Sequence, residues 1–316
     1  MRLLGTRPWE DFQKEAILRQ VDDAVFLEPG SGGKSLERLV FEADVLFNYG
    51  PAQVDPVLLS RSPTLKLVHV TATGVDSFMV PEFQMSPIIL TNSRGVHAKV
   101  VADHAMALLL ALTHALKRAS KNQEEKKWER MDICELEGKT AGLLGLGSIG
   151  LEIARRCKAF SMKVVGLRRE SAPAENVDEV FPTSQLSEVL RRSDFVLCSL
   201  PLTAETRHLL TFREFSAMKE TAYFINVGRG PVVKEEDLVR ALQEGRIRGA
   251  GLDVFEVEPL PQESPLWYME NVVITPHIAG VHRENIQKST DILAENLRRL
   301  ARGQPLLNVV DKTRGY

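Results

Sequence analysis

The strongest constraint on the fold is a glycine-rich run near the middle of the chain, GLGSIG at residues 145–150. An apolar segment at residues 139–144 precedes it, an amphipathic segment follows at 151–160, and a second apolar segment covers 162–167. This order predicts a strand, a tight turn, a helix and a second strand within about thirty residues, which is the context of the dinucleotide-binding fingerprint. A glycine-rich turn without a ligand is the alternative, and the surrounding pattern disfavours it.

The three glycines of this run have different expected roles. Gly145 permits the tight turn, Gly147 lets backbone N–H groups approach a pyrophosphate, and Gly150 lets the helix pack closely on the strand. The N-terminal end of the predicted helix would face the phosphates with the positive end of its dipole. We therefore predict a dinucleotide site at this turn.

Length and composition narrow the class of protein. A chain of 316 residues exceeds the ~250–300 residues at which single cores stop growing, so two domains are expected. A net charge of −2 provides no basic field for nucleic acid. The three cysteines lack metal-binding or CxxC spacing, the N-terminus lacks the apolar core of a signal peptide, and the most apolar stretch, residues 105–116, is too short for a membrane span. These features favour a reduced, cytoplasmic protein.

Strands and helices are predicted to alternate on both sides of the glycine run. Before it, strands are expected at residues 24–27, 45–47, 67–70 and 88–91, with short helices at 35–41 and 54–61. After it, strands are expected at residues 195–200, 223–227, 250–254 and 272–275. Such alternation indicates parallel α/β sheets. One, of six or seven strands, includes the strands of the glycine-run unit, and another precedes it.

Two longer helices are predicted to link these parts. One covers residues 98–123, and its first half is apolar almost all round, so we expect burial between domains or against another subunit. The other, residues 284–302, would cross back to the first domain. We therefore predict a substrate domain from residues 1–97 and 284–316, and a dinucleotide-binding domain from residues 98–283.

Three predicted strands after the glycine run end in charged residues. INVGRG at residues 225–230 places Arg229 between two glycines, GLDVFEVEP at 251–259 brings Asp253 and Glu258, and TPHIAG at 275–280 brings His277. Ligands bind at the carboxyl edge of open α/β sheets, where these residues would meet. Taken singly, Arg229 is typical of a solvated loop, His277 of a structural histidine and Glu258 of a turn. Together they favour an active site.

The four motifs, in this order and spacing, resemble those of the D-isomer-specific 2-hydroxyacid dehydrogenase family over essentially the whole chain. The resemblance implies a Rossmann dinucleotide-binding domain inserted into a flavodoxin-like substrate domain, with the active site in the cleft between them. It also implies reversible hydride transfer between a nicotinamide cofactor and a small 2-keto acid or D-2-hydroxy acid. Glyoxylate, hydroxypyruvate or a short apolar keto acid are the expected substrates.

The resemblance also assigns roles to residues. It implies that His277 is the acid/base, that Glu258 is its partner, and that Arg229 binds the substrate carboxylate and ketone oxygen. Substrate contacts are further implied for the backbone of Ala72, Thr73 and Gly74, and Asp253 is expected near the nicotinamide amide. The glycine run, the residues after its second strand and the resemblance together predict these cofactor contacts: Gly145, Gly147, Ser148, Ile149, Gly150, Arg168, Arg169, Ser171, Leu200, Pro201, Thr206, Val227, Gly228, Asp253, His277 and Gly280.

Physical chemistry supports these roles independently. The ketone oxygen gains negative charge as hydride arrives, so a protonated histidine can donate to it and an arginine can stabilise it. A neighbouring carboxylate favours the imidazolium form of the histidine. An arginine fork matches a planar carboxylate.

The residues after the second strand of the fingerprint predict which dinucleotide is bound. NAD-binding units commonly carry Asp or Glu there, to accept hydrogen bonds from the ribose. This chain has Arg168 and Arg169 instead, which suit a 2′-phosphate, and the Ser171 hydroxyl would add a contact. We predict NADP(H). The alternative is two solvated arginines with Glu170 serving the ribose of NAD(H).

The remaining features are weaker. Residues 28–35 mimic a phosphate-binding P-loop, but Glu28 stands where glycine is needed, so a flexible loop is expected. The loop at residues 48–55 has no Lys or Arg, which disfavours a phosphorylated substrate. His97 and Asp103 could alter hinge or cofactor contacts, but helix packing is their expected role. Trp128 could reach the site of a partner subunit, but core or interface packing is expected.

Two expectations concern partners. A homodimer is predicted through the apolar helix around residues 100–112, because such a patch is unfavourable in water. A dinucleotide-sensing regulatory protein of the same fold remains the alternative to an enzyme, since the residues present do not exclude it. Turnover of keto acids distinguishes the two.

Overall fold

The computed structural model describes residues 1–169, 172–282 and 284–316, and the chain forms two compact units. The first unit comprises Met1–His97 with Val281–Tyr316, and the second comprises Ala98–Gly280. Within the described residues, the first unit holds a five-stranded sheet and the second a seven-stranded sheet. All strand pairings in both sheets are parallel, which confirms the predicted α/β class with two doubly wound sheets.

The strands and helices alternate along most of the chain. The strands are β1 (Arg2–Gly5), β2 (Val25–Leu27), β3 (Val45–Asn48), β4 (Leu67–Val70), β5 (Ile89–Asn92), β6 (Thr140–Leu144), β7 (Lys163–Arg168), β8 (Glu179–Pro182), β9 (Phe195–Cys198), β10 (Tyr223–Asn226), β11 (Gly249–Leu252) and β12 (Val272–Ile274). The helices are α1 (Asp11–Leu18), α2 (Leu36–Val40), α3 (Pro56–Ser60), α4 (Pro81–Met85), α5 (Ala98–Thr113), α6 (Leu116–Glu124), α7 (Ser148–Ala159), α8 (Leu186–Arg192), α9 (Phe212–Ser216), α10 (Glu235–Gln243) and α11 (Glu284–Ala301).

The first unit has the strand order β2-β1-β3-β4-β5, which is the flavodoxin-like order. Helix α11 returns to this unit and buries Leu293 and Leu297 in its core. A buried polar cluster also holds α11, because the Ser289 and Ser93 hydroxyls lie 2.6 Å apart beside His69. Complete burial lowers the pKa of His69 to about 3, so this histidine is a neutral packing residue.

The second unit has the strand order β12-β11-β10-β9-β6-β7-β8. The chain first builds outward from β6 to β8 and then continues from β9 on the other side of β6. This reversal is the topological switch point at which Rossmann folds bind their ligands, outside the carboxyl ends of the strands. The predicted six- or seven-stranded sheet is confirmed with seven strands.

The single helix predicted over residues 98–123 is wrong. Helix α5 ends at Thr113, Ala115 takes a left-handed backbone conformation with φ of 52°, and α6 leaves at an angle of 65° to α5. A left-handed residue commonly ends a helix, but the usual glycine signal is missing at Ala115. Among the described residues no single helix is long and apolar enough to cross a membrane; only this bent pair passes by length and composition.

The apolar surface of α5 is covered within its own unit, which corrects the premise of the predicted dimer. Leu108, Leu109 and Leu112 are buried in a core shared with β10 and α7. A Cβ added at Gly251 in β11 would lie 3.0 Å from the Leu108 Cβ, so the glycine lets α5 approach the sheet. The helix around residues 100–112 therefore leaves no large apolar patch that another subunit must cover.

Candidate active site

His277 and Glu258 form a close pair beyond the carboxyl ends of β12 and β11. The His277 Nδ1 lies 2.7 Å from a Glu258 carboxylate oxygen, and the side chains are 48% and 35% exposed. The hydrogen bond with Glu258 raises the pKa of His277 above its usual value, against the opposing effect of burial. Burial alone would raise the pKa of Glu258, but hydrogen bonds from His277 and the Phe255 N–H lower it. The pair therefore favours an imidazolium that can donate a proton from its other ring nitrogen.

Asp253 fixes the loop that carries His277. Its carboxylate is 1% exposed and accepts hydrogen bonds from the Ile278 N–H at 2.9 Å, the Ala279 N–H at 3.0 Å and the Thr275 hydroxyl at 2.6 Å. Its backbone carbonyl accepts from the His277 N–H at 2.8 Å. These bonds hold His277 in a left-handed conformation with φ of 53°, which is uncommon for a residue other than glycine. The observed role of Asp253 is to hold this loop, and its contact with the nicotinamide amide stays a prediction.

His104, on helix α5, is a residue of this loop network that the sequence did not reveal. Its Nε2 lies 2.8 Å from the Thr275 hydroxyl oxygen and 3.4 Å from an Asp253 carboxylate oxygen. Because the single hydroxyl proton of Thr275 goes to Asp253, the His104 N–H is the donor to Thr275. The contact joins residues 171 positions apart in the sequence, so no local pattern indicates it.

Arg229 follows β10 and lies in the same electrostatic environment. The positive charge of Arg229 is a cause that lowers the pKa of Glu258 and opposes the rise in the pKa of His277. Its backbone carbonyl accepts a hydrogen bond from the Asn226 side chain at 3.2 Å, and its guanidinium donates to the Gly228 carbonyl at 2.9 Å. The structure thus brings Arg229, Glu258 and His277 together on three neighbouring strand ends of one sheet.

The glycine run forms the expected turn between β6 and α7. Gly145 has a φ of +98°, and a Cβ added at Gly150 would lie 1.9 Å from the Gly145 carbonyl oxygen, so close packing excludes a side chain there. A Cβ added at Gly147 meets nothing within 4 Å, and no side chain caps the N-terminus of α7 at this residue. Ser148 and Ile149 begin the helix. An open, uncapped helix N-terminus after a glycine turn fits the pyrophosphate of a dinucleotide.

Two consecutive arginines lie at the end of β7, the second strand of this unit. Arg168 is the last residue of β7 and is exposed, and Arg169 follows it, also exposed. Arg169 is close enough to Glu205 that its charge helps lower the pKa of this carboxyl, after the hydrogen bond from Thr203. Glu170 and Ser171, to which the sequence assigned ribose and phosphate contacts, lie outside the described residues.

The other predicted cofactor residues lie at the carboxyl edge of the same sheet. Leu200 and Pro201 follow β9, and the Thr206 hydroxyl donates a hydrogen bond to the Pro201 carbonyl at 2.6 Å. A Cβ added at Gly228 would lie 2.8 Å from the Leu200 carbonyl oxygen. Val227, which is buried, and Gly228 follow β10, and Gly280 ends the loop after β12.

The predicted carboxylate-binding loop belongs to the first unit. Ala72, Thr73 and Gly74 are half-buried and follow β4. The Ser93 N–H donates to the Ala72 carbonyl at 3.1 Å, and the Asn92 side chain donates to the Thr73 carbonyl at 2.7 Å. These bonds from the end of β5 fix the peptide planes of the loop.

Two of the weaker candidates make contacts within the protein. In the P-loop mimic, the Lys34 ammonium is held by both Glu42 carboxylate oxygens, at 2.6 and 2.9 Å, so it is engaged within the protein. Asp103 accepts a hydrogen bond from Arg156 at 2.7 Å, which joins α5 to α7. Within the described residues no group of three His, Cys, Asp or Glu side chains is arranged to hold a metal ion.

His97 ties two parts of the first unit together. Its Nε2–H donates to the Thr71 carbonyl at 2.8 Å, and its Nδ1 accepts from the Asn285 side chain at 2.8 Å. It is also the last residue of the first unit before α5. Its observed role is therefore to join the end of β4 to α11.

Comparisons with known proteins agree with this geometry. Residues 106–279 match the model of the D-isomer specific 2-hydroxyacid dehydrogenase family, NAD binding domain. A glyoxylate reductase from Korarchaeum cryptofilum (strain OPF8) is 37% identical over 293 residues, covering 90% of this chain and 87% of the relative. The crystal structure of a D-isomer specific 2-hydroxyacid dehydrogenase from Xanthobacter autotrophicus Py2, in complex with NADPH and MES, has a TM-score of 0.84 and 30% identity, covering 100% of this chain and 99% of that one. An NADPH-dependent glyoxylate/hydroxypyruvate reductase from Sinorhizobium meliloti, in complex with NADP and sulfate, has a TM-score of 0.83 and 27% identity, covering 100% and 99%.

Proposed function

Because this chain belongs to the D-isomer specific 2-hydroxyacid dehydrogenase family, we propose that it reduces glyoxylate, hydroxypyruvate or a short apolar 2-keto acid with NADPH as its preferred cofactor. The chain is an oxidoreductase that acts on 2-keto and D-2-hydroxy acids and uses a nicotinamide dinucleotide. The observation that carries the proposal is the Glu258–His277 pair beside Arg229, on three successive strand ends of one sheet.

We assign the steps of the reaction to different residues of this chain. The reduced cofactor, with its pyrophosphate held at the glycine turn, would supply the hydride from its nicotinamide ring. Arg229 binds the keto acid carboxylate through its fork and stabilises charge on the ketone oxygen. The Nδ1 of His277 stays hydrogen-bonded to Glu258. The Nε2 of His277 donates its proton to the ketone oxygen as the alcohol forms. In the oxidative direction neutral His277 takes that proton back.

The preference for NADPH is supported by charge at the end of β7. Arg168 and Arg169 are exposed cations where NAD-binding units commonly carry an acid. A guanidinium binds a 2′-phosphate with charge-assisted hydrogen bonds, and a carboxylate would repel it. The two structural relatives described above, which carry NADPH and NADP, support the same choice.

We also propose that the protein is cytoplasmic and forms a homodimer. Because α5 is covered within its own unit, it no longer supports a dimer. The support comes instead from exposed apolar side chains in the segment that follows α5. Trp128 is 97% exposed, Ile133 63% and Leu116 52%, and such side chains gain by burial against a second copy. The cytoplasmic location is supported by Cys157 and Cys198, which are buried free thiols. Sedimentation at micromolar concentration tests the dimer, and a stable monomer contradicts it.

A keto acid panel tests the proposed reaction. The purified protein is mixed with NADPH or NADH and with glyoxylate, hydroxypyruvate, pyruvate or 3-phosphohydroxypyruvate, and loss of reduced cofactor is followed. The proposal predicts turnover of the small unphosphorylated acids, with NADPH favoured. Tight dinucleotide binding without turnover of any acid would contradict it and would favour a dinucleotide-sensing protein.

A further inference from the structure

His208 lies in the loop between β9 and α9, beside the loop that carries Arg229. Its backbone is left-handed, with φ of 51°, and its N–H donates to the Pro231 carbonyl at 2.8 Å. Pro231 is two residues beyond Arg229, in the short turn Gly230–Val232. Two residues further along, the Leu210 N–H donates to the Val232 carbonyl at 3.1 Å. The loop of His208 thus runs alongside the Arg229 loop.

The side chain of His208 reaches a different loop. Its Nε2 lies 2.5 Å from a carboxylate oxygen of Glu256, and the two side chains are 38% and 30% exposed. Because a carboxylate only accepts, His208 donates this bond. Glu256 is two residues before Glu258, the partner of His277. His208 therefore bonds to both loops that carry the active-site groups. Its backbone bonds to the Arg229 loop, and its side chain bonds to the Glu258 loop.

The Glu256 carboxylate is also tied to the start of α10. Its second oxygen accepts from the Glu235 N–H at 3.0 Å, and the Glu235 carboxylate accepts from the Glu256 N–H at 3.0 Å. Burial raises the pKa of Glu235, and the nearby charge of Glu256 raises it further. A donor to Glu256 offsets the cost of placing two carboxylates side by side. Without His208, the Glu256 carboxylate would lose one of the two donors described here.

The Arg229 and Glu258 loops touch one another, so a shift of one is transmitted to the other. A Cβ added at Gly230 would lie 1.7 Å from the Phe255 carbonyl oxygen and 2.7 Å from the Glu256 N. The two backbones have no room to slide past each other. A small displacement of Glu256 would change where Arg229 and Glu258 present their side chains.

We propose that His208 is a positioning residue that keeps the Arg229 loop and the Glu258 loop in register for binding of the keto acid. The contact that carries this role is the His208–Glu256 hydrogen bond. The role rests on the proposed function, since it concerns where the substrate-binding arginine and the partner of His277 are held. His208 itself needs no contact with substrate or cofactor.

The test compares two replacements of His208. His208→Asn tolerates the left-handed backbone but is too short to reach Glu256, whereas His208→Gln carries an amide N–H at about the reach of Nε2. Displacement of a positioned group by an ångström costs up to about a hundredfold in rate. We expect His208→Asn to raise KM for glyoxylate and to lower kcat/KM about tenfold, with the Kd for NADPH unchanged. We expect His208→Gln to recover most of this loss. His114→Asn, an exposed histidine in the same unit, is the matched control and should behave as wild type.

The possible outcomes distinguish a positioning role of His208 from a purely stabilising one. They also distinguish failure of this role from failure of the proposed reaction. A His208→Asn protein with a lower Tm but wild-type KM and kcat would overturn the positioning role, as would equal losses in the Asn and Gln variants. Glu256→Ala removes the acceptor and should raise KM at least as much as His208→Asn does. The double variant His208→Asn/Glu256→Ala should be no worse than Glu256→Ala alone. Additive losses would contradict a shared contact. If wild type reduces none of the keto acids, the proposed function falls. In that case, the Tm values of wild type, the two single variants and the double variant decide whether His208 and Glu256 act as one unit.

Discussion

Two parts of the same sheet edge are built in opposite ways. Around β11 and β12, Asp253 is buried and receives three hydrogen bonds that fix the loop of His277. At the end of β7, Arg168 is exposed, and among the described residues it makes no ion pair. The first region has its geometry set before any substrate arrives. The second region presents positive charge on exposed side chains.

This difference matches what each region has to do. Proton transfer requires a donor within hydrogen-bond reach of one oxygen, so the supporting loop has to be rigid. Discrimination between a 2′-phosphate and a 2′-hydroxyl depends mainly on charge, which acts over longer distances and is less sensitive to the exact placement of the side chains. We therefore assign the rate of reaction to the rigid region and the choice of dinucleotide to the exposed one. The predictions below test this division.

The largest effect is expected for His277→Ala. Loss of the acid/base should lower kcat by ~10²–10⁴ for both directions of the reaction. Cofactor binding should largely survive although His277 is a predicted contact, because the pyrophosphate site at the glycine turn lies elsewhere on the sheet. Steady-state kinetics with glyoxylate and NADPH provide the measurement. A near-normal kcat would show that another group moves the proton.

Arg229→Lys should be damaging although the charge is kept. Lysine cannot form two parallel hydrogen bonds with a carboxylate, and a lost charge-assisted bond is worth ~1.5–3 kcal/mol, or about tenfold to a hundredfold in kcat/KM for the keto acid. The kinetics of Arg229→Lys and wild type with glyoxylate provide the comparison. Unchanged affinity for keto acids in this variant would rule out carboxylate binding by Arg229.

The next effect concerns the exposed region. Wild type should prefer NADPH over NADH by about tenfold or more in kcat/KM, which is ~1.4 kcal/mol or more of transition-state stabilisation. Arg168→Asp should erase or reverse this preference and leave KM for glyoxylate nearly unchanged. Equal use of both cofactors by wild type, or no change in the variant, would mean that Arg168 does not recognise the phosphate.

The smallest effect is expected for Glu258→Gln, and it is a shift along the pH axis. Reduction needs protonated His277, so its rate falls as the pH rises through the His277 pKa, which the bond with Glu258 raises. Removing the carboxylate charge lowers that pKa, so the alkaline limb for reduction should move to lower pH, and oxidation should become active at lower pH. The pH profiles of kcat/KM in both directions provide the readout. A limb that stays in place would show that Glu258 is not coupled to His277.

The regular parts of this protein were predictable from local patterns. The glycine turn, β4 and β7 follow from apolar runs bounded by turn residues, and Arg229, Glu258 and His277 from their places after such runs. By contrast, β1 and β8 were not predicted; each has four residues, and β8 has only two apolar side chains between a glutamate and a proline.

The remaining features depend on contacts between distant parts of the chain. The break between α5 and α6 falls at Ala115, where neither glycine nor proline marks it. The partners of His104 and His208 lie 171 and 48 residues away, so their roles depend on the folded sheet. The apolar face of α5 suggested a subunit contact because the sequence alone does not show which surface the sheet covers.

The most direct test of the division between the two regions is the binding of NADPH and NADH to the His277→Ala protein. Equilibrium titration of cofactor fluorescence gives both Kd values without any need for turnover. If the rigid region sets the rate and the exposed arginines choose the dinucleotide, the variant should keep the wild-type ratio of the two Kd values while its kcat falls ~10²–10⁴. A ratio that collapses in His277→Ala, or one that Arg168→Asp leaves intact, would contradict this account.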